Sequence, residues 1–204
     1  MMKAVITGDI INSESTETHI WLTPLKALLS QWGDSPLDWE IYRGDEFQLK
    51  CELDSAFKVV LAIKSLVKSI ENLDVRIAIG IGDEKFNSLK ITESNGSAYV
   101  NSGRLLNQLK AEGKTLAIQT PNPEFNDEIN LLLKWASIDF DNWTWAVAQI
   151  IHEFITQPGI TQEELAQKFS ITQSSVSQRL KRANLDLITQ TDLYFRRKLA
   201  LLHP

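Results

Sequence analysis

Apolar residues recur along this chain at two periods, and the order in which the periods alternate outlines the fold. Residues 2–11, MKAVITGDII, are a short run rich in β-branched residues that turns polar at Asn12 and Ser13, which predicts a buried strand. Residues 16–32 then place Ile20, Trp21, Leu25, Leu28, Leu29 and Trp32 at helical spacing, with Gly33 behind them as a stop signal. DWEIYR (38–43) and EFQLKCE (46–52) flank Gly44-Asp45 and predict a hairpin. Asp54 is expected to cap a helix reaching about Asn72 through Ala56, Val59, Val60, Ile63, Leu66 and Ile70. Residues 74–81 alternate as a strand and 82–96 are polar and loop-like. A helix over 97–110, a strand over 114–120 and a helix over 124–138 follow. The order β-α-β-β-α-β, then α-β, predicts an α+β fold that opens on a split β-α-β, the ferredoxin-like arrangement, in which the first and third strands are neighbours.

The polar DFDN stretch at 139–142 marks a boundary, giving two expected domains, 1–140 and 143–204. The second is all-α. Residues 143–156 form an amphipathic helix closed by Pro158-Gly159. Thr161 with Glu164 three positions on has the form of a capping box. Over 161–183, TQEELAQKFSITQSSVSQRLKRA, the residues Leu165, Ala166, Phe169, Ile171, Val176 and Leu180 point inward, and Ser170-Ile171-Thr172 makes a turn. Short polar side chains are left outside: Gln173, Ser174, Ser175, Ser177 and Gln178. This is the shape of a helix-turn-helix, whose second helix lies in the major groove of double-stranded DNA. Gln173 and Gln178 suit adenine edges, while Arg179, Lys181 and Arg182 suit phosphates, with Thr172 opening the helix. A helical hairpin used for protein contact is the competing reading. Residues 186–201 read as a helix rather than a wing, and its Leu187, Leu193, Tyr194, Phe195 and Leu199, with Leu202, suggest a homodimer contact.

Charge sharpens this division. The 204 residues carry a net −5, but residues 143–204 hold seven Lys/Arg against five acids, net +2, which leaves net −7 on 1–142. A polyanion is therefore met by the tail and repelled by the rest. No apolar run is long enough to span a membrane, and the opening MMKAVITGDI turns polar too soon for a signal peptide, so a cytoplasmic location is expected. Cys51 is the single cysteine, in a predicted strand, where packing is its expected role. His19, His152 and His203 are scattered and form no ligand pattern.

Candidate chemistry in the first domain lies in Thr7-Gly8-Asp9-Ile10, which ends the first strand, and Arg43-Gly44-Asp45-Glu46-Phe47, in the hairpin. Asp9 and Asp45 are expected on neighbouring strands at one edge, where two carboxylates repel unless a cation or proton lies between them. Hard oxygens at that spacing suit Mg²⁺, with the Ile10 backbone oxygen as a further ligand. Plain turn chemistry is the simpler account of Gly44-Asp45. Arg76 lies in a strand, where pairing with an acid is its commoner role. The glycines of Ile79-Gly80-Ile81-Gly82 are not followed by a helix at the place a dinucleotide fingerprint requires.

Asp9 and Asp45 occupy positions that resemble the two metal-binding aspartates of the palm domain shared by class III nucleotidyl cyclases and GGDEF diguanylate cyclases. AYVNSGRL (98–105) resembles the cyclase segment whose Asn and Arg contact nucleotide and transition state, which would assign those roles to Asn101 and Arg104. Here the two are three apart rather than four, about 100° of helix rotation. Arg43 replaces the first glycine of GGDEF, and no purine-selecting Lys–Asp pair can be placed. Nearly the whole chain resembles the SatD family, through Ile6-Thr7-Gly8-Asp9-Ile10 with Asn12-Ser13, and through Gly44-Asp45-Glu46-Phe47-Gln48. That resemblance implies a palm-like domain with a helix-turn-helix tail in a regulator. The expected function is a DNA-binding transcriptional regulator sensing a nucleotide or Mg²⁺. The alternative is a Mg²⁺-dependent cyclase or nucleotidyltransferase acting on a nucleoside triphosphate.

Overall fold

The computed structural model describes residues 2–202. Strand β1 (Met2–Ile11) leads through one 3₁₀ turn into helix α1 (Thr18–Leu29). The hairpin β2 (Trp39–Tyr42) and β3 (Glu46–Cys51) follows, then α2 (Ala56–Lys68), β4 (Asp74–Asp83), α3 (Ser97–Glu112) and β5 (Leu116–Gln119). Five helices close the described chain: α4 (Pro123–Phe140), α5 (Trp145–Thr156), α6 (Gln162–Lys168), α7 (Gln173–Arg182) and α8 (Leu185–Ala200). The chain is α+β around one five-stranded mixed sheet of order β2-β3-β1-β4-β5. β1 pairs antiparallel with both β3 and β4, and β5 joins β4 in parallel. Asp54 does not cap α2. It lies in a 3₁₀ turn, Leu53–Ser55, and α2 starts at Ala56 without a side-chain cap.

Alternation along β1 decides what each sheet face meets. Ala4, Ile6 and Ile10 join Val75, Ile77, Ile79 and Ile81 of β4 in the main core. Val5 and Thr7 face the other side, where α3 packs. That side admits α3 because Gly80 has no side chain: a Cβ there would lie 2.2 Å from the Ala98 carbonyl oxygen and 2.4 Å from the Ser102 nitrogen. The glycines of β4 thus serve close helix–sheet packing. The outer edge of β5 is closed by two amides one helical turn apart on α4. Asn130 bonds both backbone groups of Ile118, and Asn126 both those of Thr120.

Helix α2 is covered nearly all round: all its residues but Lys58 and Lys68 are buried, Lys64 among them. Such a helix needs cover on both faces. The sheet supplies one and α5 and α8 the other. Phe195 of α8 stacks against Phe57 of α2 (ring centroids 5.7 Å apart) and Phe125 of α4 (6.4 Å). One apolar cluster therefore runs from β1 to α8. Phe195 and Leu199, expected at a dimer contact, are core residues, whereas Leu187 and Leu193 are exposed. Cys51 is buried, and that burial pushes its thiol up to about 12, in keeping with a packing role. No described helix is long and apolar enough to cross a membrane. His203 lies outside the described residues.

Candidate functional sites

Sheet pairing brings Asp9 and Asp45 together, as their places in the chain require. Asp9 is opposite Glu46 in the β1–β3 register and opposite Arg76 in the β1–β4 register. The Ile10 N–H donates to the Asp45 carbonyl at 3.2 Å. Gly8 allows this approach, since a Cβ there would lie 2.5 Å from the Phe47 ring. Arg76 Nη1 donates to Asp9 Oδ2 at 2.9 Å. Lys110, from the last turn of α3, donates to Glu46 Oε1 at 2.8 Å and stands 3.8 Å from Asp9 Oδ2. Ser13 donates to Asp45 Oδ2 at 2.9 Å. Asp9 Oδ1 is buried with no partner. Burial pushes the Asp9 carboxyl above the usual carboxylate range, opposed by Lys110 and Arg76 and aided by Asp45.

This donor set does not fit a magnesium ion as it stands. A hard cation needs several convergent oxygens, but Asp9 already neutralises a guanidinium and faces an ammonium. Among the described residues no group of three or more Asp, Glu, His or Cys is placed to hold a metal. Ile10, expected to offer its backbone oxygen, donates its N–H to the Asp45 carbonyl and lies opposite Val75 in the β1–β4 register. Asn101 and Arg104 are not brought to Asp9. Asn101 donates to the Ile81 carbonyl at 3.1 Å, five residues up β4 from Arg76, or roughly 16 Å along the strand. Arg104 is exposed, with no side-chain hydrogen bond or ion pair among the described residues. The residue that does reach Asp9 from α3 is Lys110, for which the sequence carried no local signal.

The second site is the α6–α7 pair. Thr161 and Glu164 complete the capping box at the start of α6. Ser170 takes a left-handed backbone (φ 52°) in the turn, and the Ile171 N–H returns to the Ala166 carbonyl. Thr172 caps α7 by accepting from the Ser175 N–H at 3.1 Å. Leu165, Ala166, Val176 and Leu180 are buried, as their spacing predicts. Of the residues assigned to DNA, Gln173, Ser174, Ser177, Gln178, Lys181 and Arg182 are exposed. None of these six side chains has a hydrogen bond or ion pair among the described residues. Thr172 and Ser175 are spent in the cap, their hydroxyls 2.9 Å apart. Arg179 turns back to the Ala146 carbonyl of α5 at 3.3 Å. α8 follows directly, so no wing intervenes.

Among curated proteins no match was found. Against protein families, residues 3–200 match the SatD family. That span covers nearly the whole chain, sheet and tail together, and the protein therefore belongs to the SatD family.

Proposed function

We propose that this protein is a DNA-binding regulator in which α7 lies in the major groove of double-stranded DNA and the N-terminal sheet forms a palm-like body. The observation that carries the reading is the outer face of α7. It presents Gln173, Ser174, Ser177 and Gln178 over its first two turns and Lys181 and Arg182 at its last, all six without side-chain partners among the described residues. A protein-contact hairpin would offer large apolar residues there, and none is exposed between Ala146 and Asp186. Net +2 on residues 143–204 against net −7 on the remainder would orient the chain, tail first, toward a polyanion.

Support for a palm-like body comes from the strand order and from Asp9 and Asp45 at one end of the sheet. Sensing fits the body better than turnover, because Asn101 is bound to the Ile81 carbonyl and the ion pairs of Asp9 are made by Arg76 and Lys110, not by Arg104. A negatively charged nucleotide has Lys110 as its first partner at this end, drawn from Glu46.

Fluorescence anisotropy with a labelled duplex across a salt series tests DNA binding. Each phosphate contact contributes about 0.9 to the slope of log affinity against log salt. Lys181→Ala with Arg182→Ala should lower that slope by roughly 2 and weaken binding to every duplex alike. An unchanged slope and affinity would remove α7 from the interface.

A further inference from the structure

Helices α4 and α8 lie side by side and antiparallel. Asn184 bonds Asp139 at one end, and Tyr194 and Lys198 meet Glu128 at the other. Between them runs an open groove of about 530 Å³ whose walls include Leu131, Trp135, Leu187 and Leu193. Trp135 is 69% exposed, Leu131 and Leu187 60% each, Ile138 58% and Leu193 49%. Leu131, Trp135 and Ile138 form a single stripe along α4. With roughly 150–250 Å² on a tryptophan and on the order of 100 Å² on each aliphatic side chain, these fractions leave roughly 350 Å² of apolar surface in water. A patch of that size falls within the roughly 300–600 Å² of the largest apolar patch on an ordinary monomer, a surface that is often functional. Adding the half-buried Leu132 and Tyr194 and the stem of Arg197 brings it near the apolar share of the roughly 800 Å² that each partner contributes to a standard interface.

The rim charges indicate what covers it. Asp186, Gln190, Leu193 and Arg197 fall on one stripe of α8, since eleven residues make almost exactly three turns; neither Asp186 nor Arg197 has an ion-pair partner among the described residues. Arg197 lies along the groove, 5.9 Å from the Tyr194 ring. A two-fold axis between Gln190 and Leu193 would set Asp186 of each copy against Arg197 of the other, with both apolar stripes facing inward. An isologous contact needs this self-complementarity.

We propose that the α4–α8 face is the contact between two copies of this chain, paired through antiparallel α8 helices. Because α8 follows α7 after Ala183 and Asn184, this pairing also fixes the separation of the two α7 helices. It extends the DNA-reading proposal but is tested apart from it. Sedimentation equilibrium of the full chain up to about 100 µM, a range in which interfaces of this size assemble, should give twice the 23.1 kDa chain mass. Trp135→Glu should give a monomer with unchanged circular dichroism. Asp186→Arg should weaken the dimer at least tenfold, and Arg197→Asp added to it should restore assembly. A wild-type monomer throughout that range would overturn the proposal and leave the face to a different partner. A dimer indifferent to Trp135→Glu, or no rescue by the double swap, would overturn it as well. Failure of α7 to bind DNA would leave these masses unaffected.

Discussion

Lys64 offers the sharpest test of how the C-terminal helices are joined to the sheet. It lies inside α2 with its side chain only 5% exposed, and its ammonium stands 2.5 Å from both Asp74 Oδ1 and Asp141 Oδ1. Asp141 belongs to the polar stretch between α4 and α5. It also accepts from Thr115 Oγ1, and its backbone carbonyl accepts from Lys68 at 2.7 Å. One cation thus ties α2, the start of β4 and the α4–α5 junction together. Lys64→Met keeps the stem and removes the charge. Breaking a buried pair by deleting one partner costs about 3–5 kcal/mol. Lys68 remains 3.5 Å from Asp74, and Asp141 is partly solvated, which places the expected loss at the lower end, about 3 kcal/mol. For a chain of this length that is a fall of roughly 6–12 °C in Tm, read by far-ultraviolet circular dichroism. Asp141→Asn alone should cost less, and the double variant should be more stable than the two losses summed, since both remove one interaction. A Lys64→Met variant within about 2 °C of wild type would refute the ion cluster as the anchor of the junction.

Gly80→Ala should destabilise by about 2–3 kcal/mol or prevent folding, because its methyl meets α3 backbone rather than a movable side chain; urea unfolding reads the loss. His152 lies between α2 and α5, with Nδ1 3.2 Å from the Ala62 carbonyl, and burial holds its imidazole below the ordinary histidine range. The folded chain therefore favours neutral His152. Its contribution is complete above the unfolded value near 6.5 and is lost as pH falls from there through the lower folded value. His152→Gln should flatten that decline in urea midpoints taken between pH 8 and pH 5, and identical profiles would show that His152 is not its source. Thr172→Ala should cost about 1 kcal/mol through the lost α7 cap, with Thr172→Asp restoring it.

What the sequence revealed and what it concealed follow from the range of the interactions. Thr161, Glu164 and Thr172 act on backbone within three residues, so the bounds of α6 and α7 were legible from composition and spacing. Asp9 and Asp45 could be paired because a hairpin and a neighbouring strand leave few alternatives. Lys110 reaches Asp9 from a helix about a hundred residues later, and nothing local to either residue signals it. Nothing local to Lys64 signals its burial, which follows from the cover that α2 receives on both faces. α8 carries apolar residues on two faces, and only packing reveals that Phe195 and Leu199 belong inside and Leu187 and Leu193 outside.

Whether α7 reads DNA bases is decided by selecting duplexes from a random pool with the full chain. A DNA-reading α7 should enrich a short motif in two symmetric half-sites, centred about 10 base pairs or a multiple apart, with preference at one position per half-site relaxed by Gln178→Ala. Recovery of a pool indistinguishable from the starting one, or a motif that Gln178→Ala and Ser177→Glu leave untouched, would contradict it.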